Sequence, residues 1–317
     1  MRRADHECLS PLVKELKETI HDSRCPTTLL EMLEDALRQP GHALASPPGL
    51  KWPLFVLLSC QSASAGEWHH ALPAAAAFEF LTSALEIIDD LQDGDMGPLQ
   101  ASYGEAQALN VAYELLMLSQ RALWRLGQWN VPSEKRVAVA EALSFAAATA
   151  GNGQHLDLLY ESRPDVSEDE CLQVASQKSA GLVSGAFRVG ALLGTEDRLL
   201  VEKYAELGWH LGMYAQLAND IEDVLPGRSD KSDVRHGKKT LPLVFGLDGN
   251  GHGHGELEPK DEAELRATLW KSGALHYTWV VGELHRQKAR EIVAELDQVR
   301  PAEAILGPLT EAKAGLL

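Results

Sequence analysis

The stretch Ala71–Asp93 reads ALPAAAAFEFLTSALEIIDDLQD. Apolar residues occupy most of its positions, and a helix that is apolar nearly all round belongs at the centre of a helical bundle. It ends in the acidic run DDLQD, directly before Gly94. Because residues four apart share one face of a helix, the pattern predicts a core helix whose last turn presents Asp89 and Asp93 together.

A second acidic run, NDIED, spans residues 219–223 and ends another apolar helical pattern. Oxygen ligands at helix ends suit Mg²⁺, which binds one or two carboxylates together with a substrate phosphate. Such a run is more often solvated surface, but both runs adjoin apolar residues, which favours a cation site. The predicted metal ligands are Asp89, Asp90, Asp93, Asn219, Asp220 and Asp223.

Basic residues follow the second acidic run in a chain whose net charge is −17. Arg228, Lys231 and Lys238 lie in this segment, and Lys178 is a further conspicuous base. Cations beside metal-binding carboxylates fit a polyanion such as diphosphate, although local pairing with neighbouring acids explains them equally well. The glycine-rich stretch at residues 251–255 contains two histidines and is more typical of a flexible connector than of a metal site.

The chain as a whole reads as one all-α domain over residues 1–317, since no linker divides it and alternating β-branched runs are scarce. Its negative charge disfavours nucleic acid and anionic membranes, and we expect no membrane-spanning run. The four scattered cysteines lack metal-site spacing and favour reduced thiols in the cytoplasm. The main predicted helices cover residues 70–93, 103–127, 133–160, 167–193, 196–224, 275–298 and 301–316.

Motifs over residues 50–245 resemble those of the trans-isoprenyl diphosphate synthases, the polyprenyl synthetase family. The resemblance implies an isoprenoid-synthase helical bundle, usually a homodimer, in which three Mg²⁺ ions hold the diphosphate of an allylic isoprenyl substrate. The matching motifs, in chain order, are Asp89-Asp90-x-x-Asp93, Gly153-Gln154-His155-Leu156-Asp157-Leu158, Lys178-Ser179-Ala180, Gly212-x-x-x-Gln216-x-x-Asn219-Asp220-x-x-Asp223 and Ser232-Asp233-x-x-x-Gly237-Lys238-x-Thr240-Leu241-Pro242.

The resemblance also implies roles for individual residues. The catalytic set is predicted to be Asp89, Asp93, Asn219, Asp223 and Lys178. The diphosphate-binding set is predicted to be Lys178, Gln216 and Lys238, which match family positions, together with Arg228 and Lys231, which are included for their charge. Side chains before the first acidic run limit chain length in the family, and here they are Leu81, Ala84 and Leu85, none of them aromatic.

Departures from the family pattern concern its second substrate, isopentenyl diphosphate. The family's Gly-Gly-Lys-Arg-x-Arg-Pro run is replaced by PPGLKWP at residues 47–53, where only Lys51 remains as a cation. A histidine expected seven residues before Asp89 is Thr82, and the usual Arg-Arg-Gly is absent between Met96 and Glu105. Most of the charge that a second diphosphate requires is therefore missing.

These features predict a Mg²⁺-dependent prenyltransferase that ionises an allylic diphosphate of fifteen to twenty carbons. The prenyl group is expected to pass to an acceptor other than isopentenyl diphosphate, such as a small molecule or a peptide. The alternative is a class I terpene cyclase acting on the same substrate, since Asn219 resembles the start of the cyclase metal motif. A chain-elongating synthase and a non-catalytic partner subunit are lesser alternatives.

Overall fold

The computed structural model describes residues 3–49, 51–225, 238–247 and 262–311, and within them the fold is all-α. A π-helix at Ala175–Ala180 joins α8 to α9. The α-helices are α1 (Arg3–Ser23), α2 (Thr27–Leu37), α3 (Lys51–Ala63), α4 (Leu72–Asp93), α5 (Pro98–Tyr103), α6 (Glu105–Trp124), α7 (Ser133–Glu161), α8 (Glu168–Val174), α9 (Gly181–Gly194), α10 (Arg198–Val224), α11 (Leu241–Leu247), α12 (Glu262–Lys271), α13 (Ala274–Asp297) and α14 (Ala302–Leu306).

Helix α4 lies at the centre of the bundle, as its composition predicts. Every residue from Leu72 to Ala84 is buried, and the helix packs against α3 and α6. The helical stretch His69–Asp93 is long and apolar enough to cross a membrane. The expectation that the chain has no apolar run of this length is therefore wrong. However, 83% of its most apolar window is buried inside the protein, which is the behaviour of a core helix.

Helix α9 forms the second core layer. It packs against α3, α7 and α10, while α10 also packs against α13. The helices that carry the two acidic runs, α4 and α10, thereby face each other across α9 and the π-helix. The bundle positions the two runs at one end, where α4 stops at Gly94 in the left-handed conformation, with φ of 72°.

Three predicted helices differ from those observed. The segment predicted as 103–127 is divided at Gly104, whose φ of 82° separates α5 from α6. The segment predicted as 167–193 contains the π-helix between α8 and α9. At the carboxyl end, α14 stops at Leu306 and a short 3₁₀ turn follows at Gly307–Thr310.

Candidate active site

The two acidic runs meet at one cavity of about 380 Å³. Asp89 and Asp93 line it from the last turns of α4, and Asn219, Asp220 and Asp223 line it from α10. The structure therefore brings the two acidic runs together around one space. Among the described residues, no three His, Cys, Asp or Glu side chains enclose a single point tightly enough to hold an ion alone.

This donor set fits Mg²⁺, because the ion takes oxygen ligands and completes its shell with waters and substrate phosphate oxygens. Asp90 lies outside the cavity. Its carboxylate lies against Gly97 in the turn after α4, and its carbonyl accepts a hydrogen bond from the Asp95 amide at 2.9 Å. The structure thus gives the sequence-predicted ligand Asp90 a different position from its neighbours Asp89 and Asp93.

Two lysines form ion pairs with carboxylates of α4. Lys178 Nζ is 3.0 Å from Asp89 Oδ1, and Lys238 Nζ is 2.7 Å from Asp93 Oδ1. Burial alone would lower the pKa of both ammonium groups, but the surrounding carboxylates outweigh burial and raise the pKa of each. Both lysines therefore carry their charge at neutral pH.

Asp157 on α7 links the two lysines and received no role from the sequence. Its Oδ2 accepts hydrogen bonds from Lys178 Nζ at 2.8 Å and from Lys238 Nζ at 3.2 Å. Glu161, one turn later, adds a contact of 3.0 Å to Lys238. The motif at residues 153–158 could have identified Asp157. Glu161 could have been inferred only from its position four residues later, on the same face of α7.

The π-helix places Lys178 in this network. Such segments widen one helical turn and occur frequently at functional sites. Gly153 of α7 packs directly on it: a Cβ there would be 2.2 Å from the Lys178 amide nitrogen and 2.7 Å from its Cα. Only glycine permits this approach of α7, which carries Asp157, to the backbone of Lys178.

Gln216 also lines the cavity, one turn before Asp220. Its Nε2 donates to Asp220 Oδ1 at 2.8 Å, and its Oε1 accepts from the Ser179 hydroxyl. The amide therefore fixes the orientation of the buried Asp220 carboxylate. Of the remaining predicted residues, Arg228, Lys231 and the glycine–histidine stretch at 251–255 lie outside the described residues.

An apolar cavity of about 450 Å³ adjoins the acidic one, and both are lined by Trp52, Glu86 and Asp89. Leu85 lines the apolar cavity, and its role in limiting chain length stays a prediction. Leu81 and Ala84 are buried in the core and line neither cavity, so their roles stay a prediction. The remaining walls of the apolar cavity come from Thr82, Ile88, Gln92, Ala150, Gly151, Gln154, His155, Leu158, Lys178, Ser179 and Leu182.

Leu85→Trp is expected to shorten this cavity, because the larger ring enters the space beside the carboxylates. The preference between substrates, measured as the ratio of kcat/KM for geranyl and geranylgeranyl diphosphate, should shift toward the ten-carbon chain. Ala84→Trp is the comparison, since a ring there overpacks the core at a cost of roughly 1–3 kcal/mol. An unchanged ratio in Leu85→Trp would mean that the chain does not enter this cavity.

An ion-paired cluster of His42, Glu79 and Glu86 reaches both cavities through Glu86. His42 is 3% exposed; its Nδ1 is 3.3 Å from Glu79 Oε1 and its Nε2 is 2.9 Å from Glu86 Oε2. The Ala43 amide also donates to Glu79 Oε1, at 2.6 Å. Burial alone would lower the pKa of His42, but the two carboxylates outweigh burial and raise that pKa to about 10.

The raised pKa predicts a pH dependence of stability. Unfolded His42 has a pKa near 6.5, so its stabilising charge is fully present below pH 6.5 and is lost as pH rises toward about 10. We expect the free energy of unfolding to fall across this window, on the order of a few kcal/mol. Urea unfolding of wild type and His42→Gln at several pH values measures this fall, which should be smaller in the variant. Equal pH dependence in both proteins would contradict the assignment.

Comparison with known proteins agrees with this architecture. A family model described as polyprenyl synthetase matches residues 34–265. A (2E,6E)-farnesyl diphosphate synthase of Mycobacterium bovis is 32% identical over 256 residues, which cover 76% of this chain and 68% of that protein. A geranylgeranyl diphosphate synthase of Methanosarcina mazei is 30% identical over 292 residues, covering 85% and 87% of the two chains.

Solved structures share the fold. The polyprenyl synthase of Caulobacter crescentus, complexed with calcium and isoprenyl diphosphate, superposes with a TM-score of 0.72 at 23% identity, covering 95% of both chains. From the family match and the relatives, the chain belongs to the polyprenyl synthetase family and is a prenyltransferase of isoprenoid biosynthesis. The family's general dependence on Mg²⁺ fits the oxygen ligands of the acidic cavity.

Proposed function

We propose that this protein is a Mg²⁺-dependent prenyltransferase that ionises an allylic diphosphate of fifteen to twenty carbons and transfers the prenyl group to an acceptor other than isopentenyl diphosphate. The observation that carries the proposal is the junction of an acidic, lysine-bearing cavity with an apolar one at Asp89. The first suits the diphosphate with its counterions, and the second suits a hydrocarbon chain.

In this proposal three Mg²⁺ ions would be held by Asp89 and Asp93 of α4 together with Asn219, Asp220 and Asp223 of α10. When bound, the ions neutralise the diphosphate and stabilise the negative charge that grows on it as it leaves. Asp90 is omitted from the set because its carboxylate lies in the turn after α4. Arg228 and Lys231 remain predicted contacts of the diphosphate.

When the diphosphate binds, Lys178 and Lys238 would donate to its oxygens some of the hydrogen bonds that they donate to carboxylates in this structure. Both are held beside Asp157, which keeps the two ammonium groups in place when the diphosphate arrives. As the bond between the C1 carbon and oxygen breaks, its electron pair goes to the diphosphate, which these lysines stabilise. The apolar cavity excludes water from the allylic cation until the acceptor attacks its C1 carbon.

The surroundings of α4 support transfer to an acceptor other than isopentenyl diphosphate. The Thr82 hydroxyl donates to the Phe78 carbonyl of its own helix at 2.9 Å, and the residue is only 2% exposed. Lys51 lines the acidic cavity, with its ammonium 5.3 Å from the centre of the Trp52 ring. Glu86 lines the same cavity and carries the opposite charge, which offsets the one cation that remains of the family's basic run at residues 47–53.

Chain elongation is the second candidate, because the curated relatives are named farnesyl and geranylgeranyl diphosphate synthases. We expect isopentenyl diphosphate to be a poor co-substrate with kcat/KM at least tenfold below that of a preferred acceptor. Product analysis with geranyl, farnesyl or geranylgeranyl diphosphate, with and without isopentenyl diphosphate, distinguishes the two functions. Efficient formation of chains five carbons longer would establish elongation instead, and cyclic hydrocarbons formed from the allylic substrate alone would establish cyclisation.

We also propose a homodimer formed through α6 and α7. Leu109, Tyr113 and Met117 follow one face of α6 at intervals of four residues and are 58%, 60% and 43% exposed, and Phe145 of α7 is 74% exposed. A second copy of the chain would cover these side chains, in keeping with the common dimeric state of the family.

We also propose a cytoplasmic location, since none of the four cysteines forms a disulfide.

A further inference from the structure

The carboxylate of Glu86 lines both cavities but has no role in the ionisation proposed above. Thr82, Glu86, Asp89 and Asp93 follow one another at intervals of four, three and four residues, which places them on one face of α4. Glu86 is three residues before Asp89, about 4.5 Å along the helix axis. It lines both cavities and therefore stands at their junction, beside the position proposed for the reacting carbon.

His42 holds this carboxylate in place while leaving it accessible. The histidine is buried and fixed through its other nitrogen by Glu79, which is itself 0% exposed. The Glu86 side chain remains 59% exposed, although its Oε2 is 2.9 Å from His42 Nε2. A buried, doubly held histidine has little freedom to move, so Glu86 is directed at the cavity by the folded core.

The charge of this cluster is negative. One protonated histidine lies between two carboxylates, which leaves a net charge of −1 beside Asp89. Lys51 and Lys178 line the same cavity, but a diphosphate placed directly against Glu86 would bring its anionic oxygens onto a carboxylate, and like charges repel. An uncharged group with an N–H bond would instead donate a hydrogen bond to Glu86, and charge-assisted hydrogen bonds of this kind are strong.

We infer that Glu86, positioned by His42, selects the acceptor of the reaction by disfavouring a second diphosphate and accepting a hydrogen bond from an uncharged N–H nucleophile. In the transfer step the nitrogen lone pair forms the bond to the C1 carbon of the allylic group. The bond from C1 to oxygen breaks and its electron pair leaves with the diphosphate. The proton of the nitrogen passes to the Glu86 carboxylate and then to solvent.

This inference rests on the proposed prenyl transfer, and its test separates the two. Wild type, Glu86→Gln and Glu86→Leu are incubated with Mg²⁺ and geranylgeranyl diphosphate, and with either aniline or isopentenyl diphosphate as the second substrate. Diphosphate release from the allylic substrate alone reports ionisation. The ratio of kcat/KM for aniline to that for isopentenyl diphosphate reports acceptor choice. Glu31→Gln, on an exposed position of α2, is the matched control.

We expect this ratio to fall at least tenfold in both Glu86 variants, whereas the Glu31→Gln ratio should match that of wild type. His42→Gln should lower the ratio in the same direction, and His42→Gln combined with Glu86→Gln should be no worse than Glu86→Gln alone, because the histidine acts through the carboxylate. An unchanged ratio in Glu86→Leu, or absence of transfer to aniline by a wild-type enzyme that releases diphosphate, overturns the inference. Efficient elongation by wild type, or no diphosphate release at all, contradicts the proposed function instead.

Discussion

Asp89→Ala and Asp223→Ala are each expected to lower the turnover of any allylic diphosphate by about 100- to 1,000-fold. Each variant would remove one proposed oxygen ligand, Asp89 on α4 or Asp223 on α10, and metal-assisted ionisation depends on several kcal/mol of charge stabilisation. Asp89→Ala also leaves Lys178 with Asp157 as its remaining carboxylate in this network. The loss should therefore appear in kcat as well as in kcat/KM.

Diphosphate release from geranylgeranyl diphosphate measures this effect directly. Glu105→Ala is a suitable control because it removes an exposed carboxylate at the start of α6, away from the cavities. Its turnover should match that of wild type. Ionisation near the wild-type rate in Asp89→Ala would refute the mechanism as a whole.

Gly153→Ala is expected to destabilise the protein and to lower its activity together. The added Cβ would be 2.2 Å from the Lys178 amide nitrogen, and backbone atoms cannot move aside as a flexible side chain can. Overpacking of this kind costs roughly 1–3 kcal/mol, and the shift of the π-helix would also displace the Lys178 ammonium from Asp89.

Gly151→Ala is the matched control for stability. It lies on the same helix two residues earlier, where an added Cβ would meet nothing within 4 Å. Alanine in an unobstructed helical position is favoured over glycine by up to about 1 kcal/mol. Urea unfolding should therefore give opposite signs for the two variants, and a Gly153→Ala protein as stable as wild type would contradict the packing described here.

The sequence allowed the two acidic helix ends, their helices and the family to be predicted, because each depends on local patterns. Apolar residues on all sides of α4 indicate a core helix, and the spacing of Asp89 and Asp93 is a property of that helix alone. The break at Gly104 was also visible in principle, since glycine readily adopts its φ of 82°.

Contacts between distant segments could not be predicted in this way. The π-helix at Ala175–Ala180 interrupts a continuous helical pattern, because its widened turn depends on the packing of Gly153 against it. His42 meets Glu79 and Glu86 from a segment 37 and 44 residues away. Local periodicity cannot predict such a pairing. From the sequence, only the missing cations near the acceptor were visible, and the His42 cluster was not.

We propose that this bundle ionises an allylic diphosphate with Mg²⁺ held by its carboxylates. The most direct measurement is diphosphate release from geranylgeranyl diphosphate by the wild-type protein, with Mg²⁺ and then with excess EDTA, alongside Asp89→Ala. We expect release that requires Mg²⁺, stops with EDTA and is lost in the variant. Release that persists in EDTA, or that is equal in Asp89→Ala, would contradict the proposal.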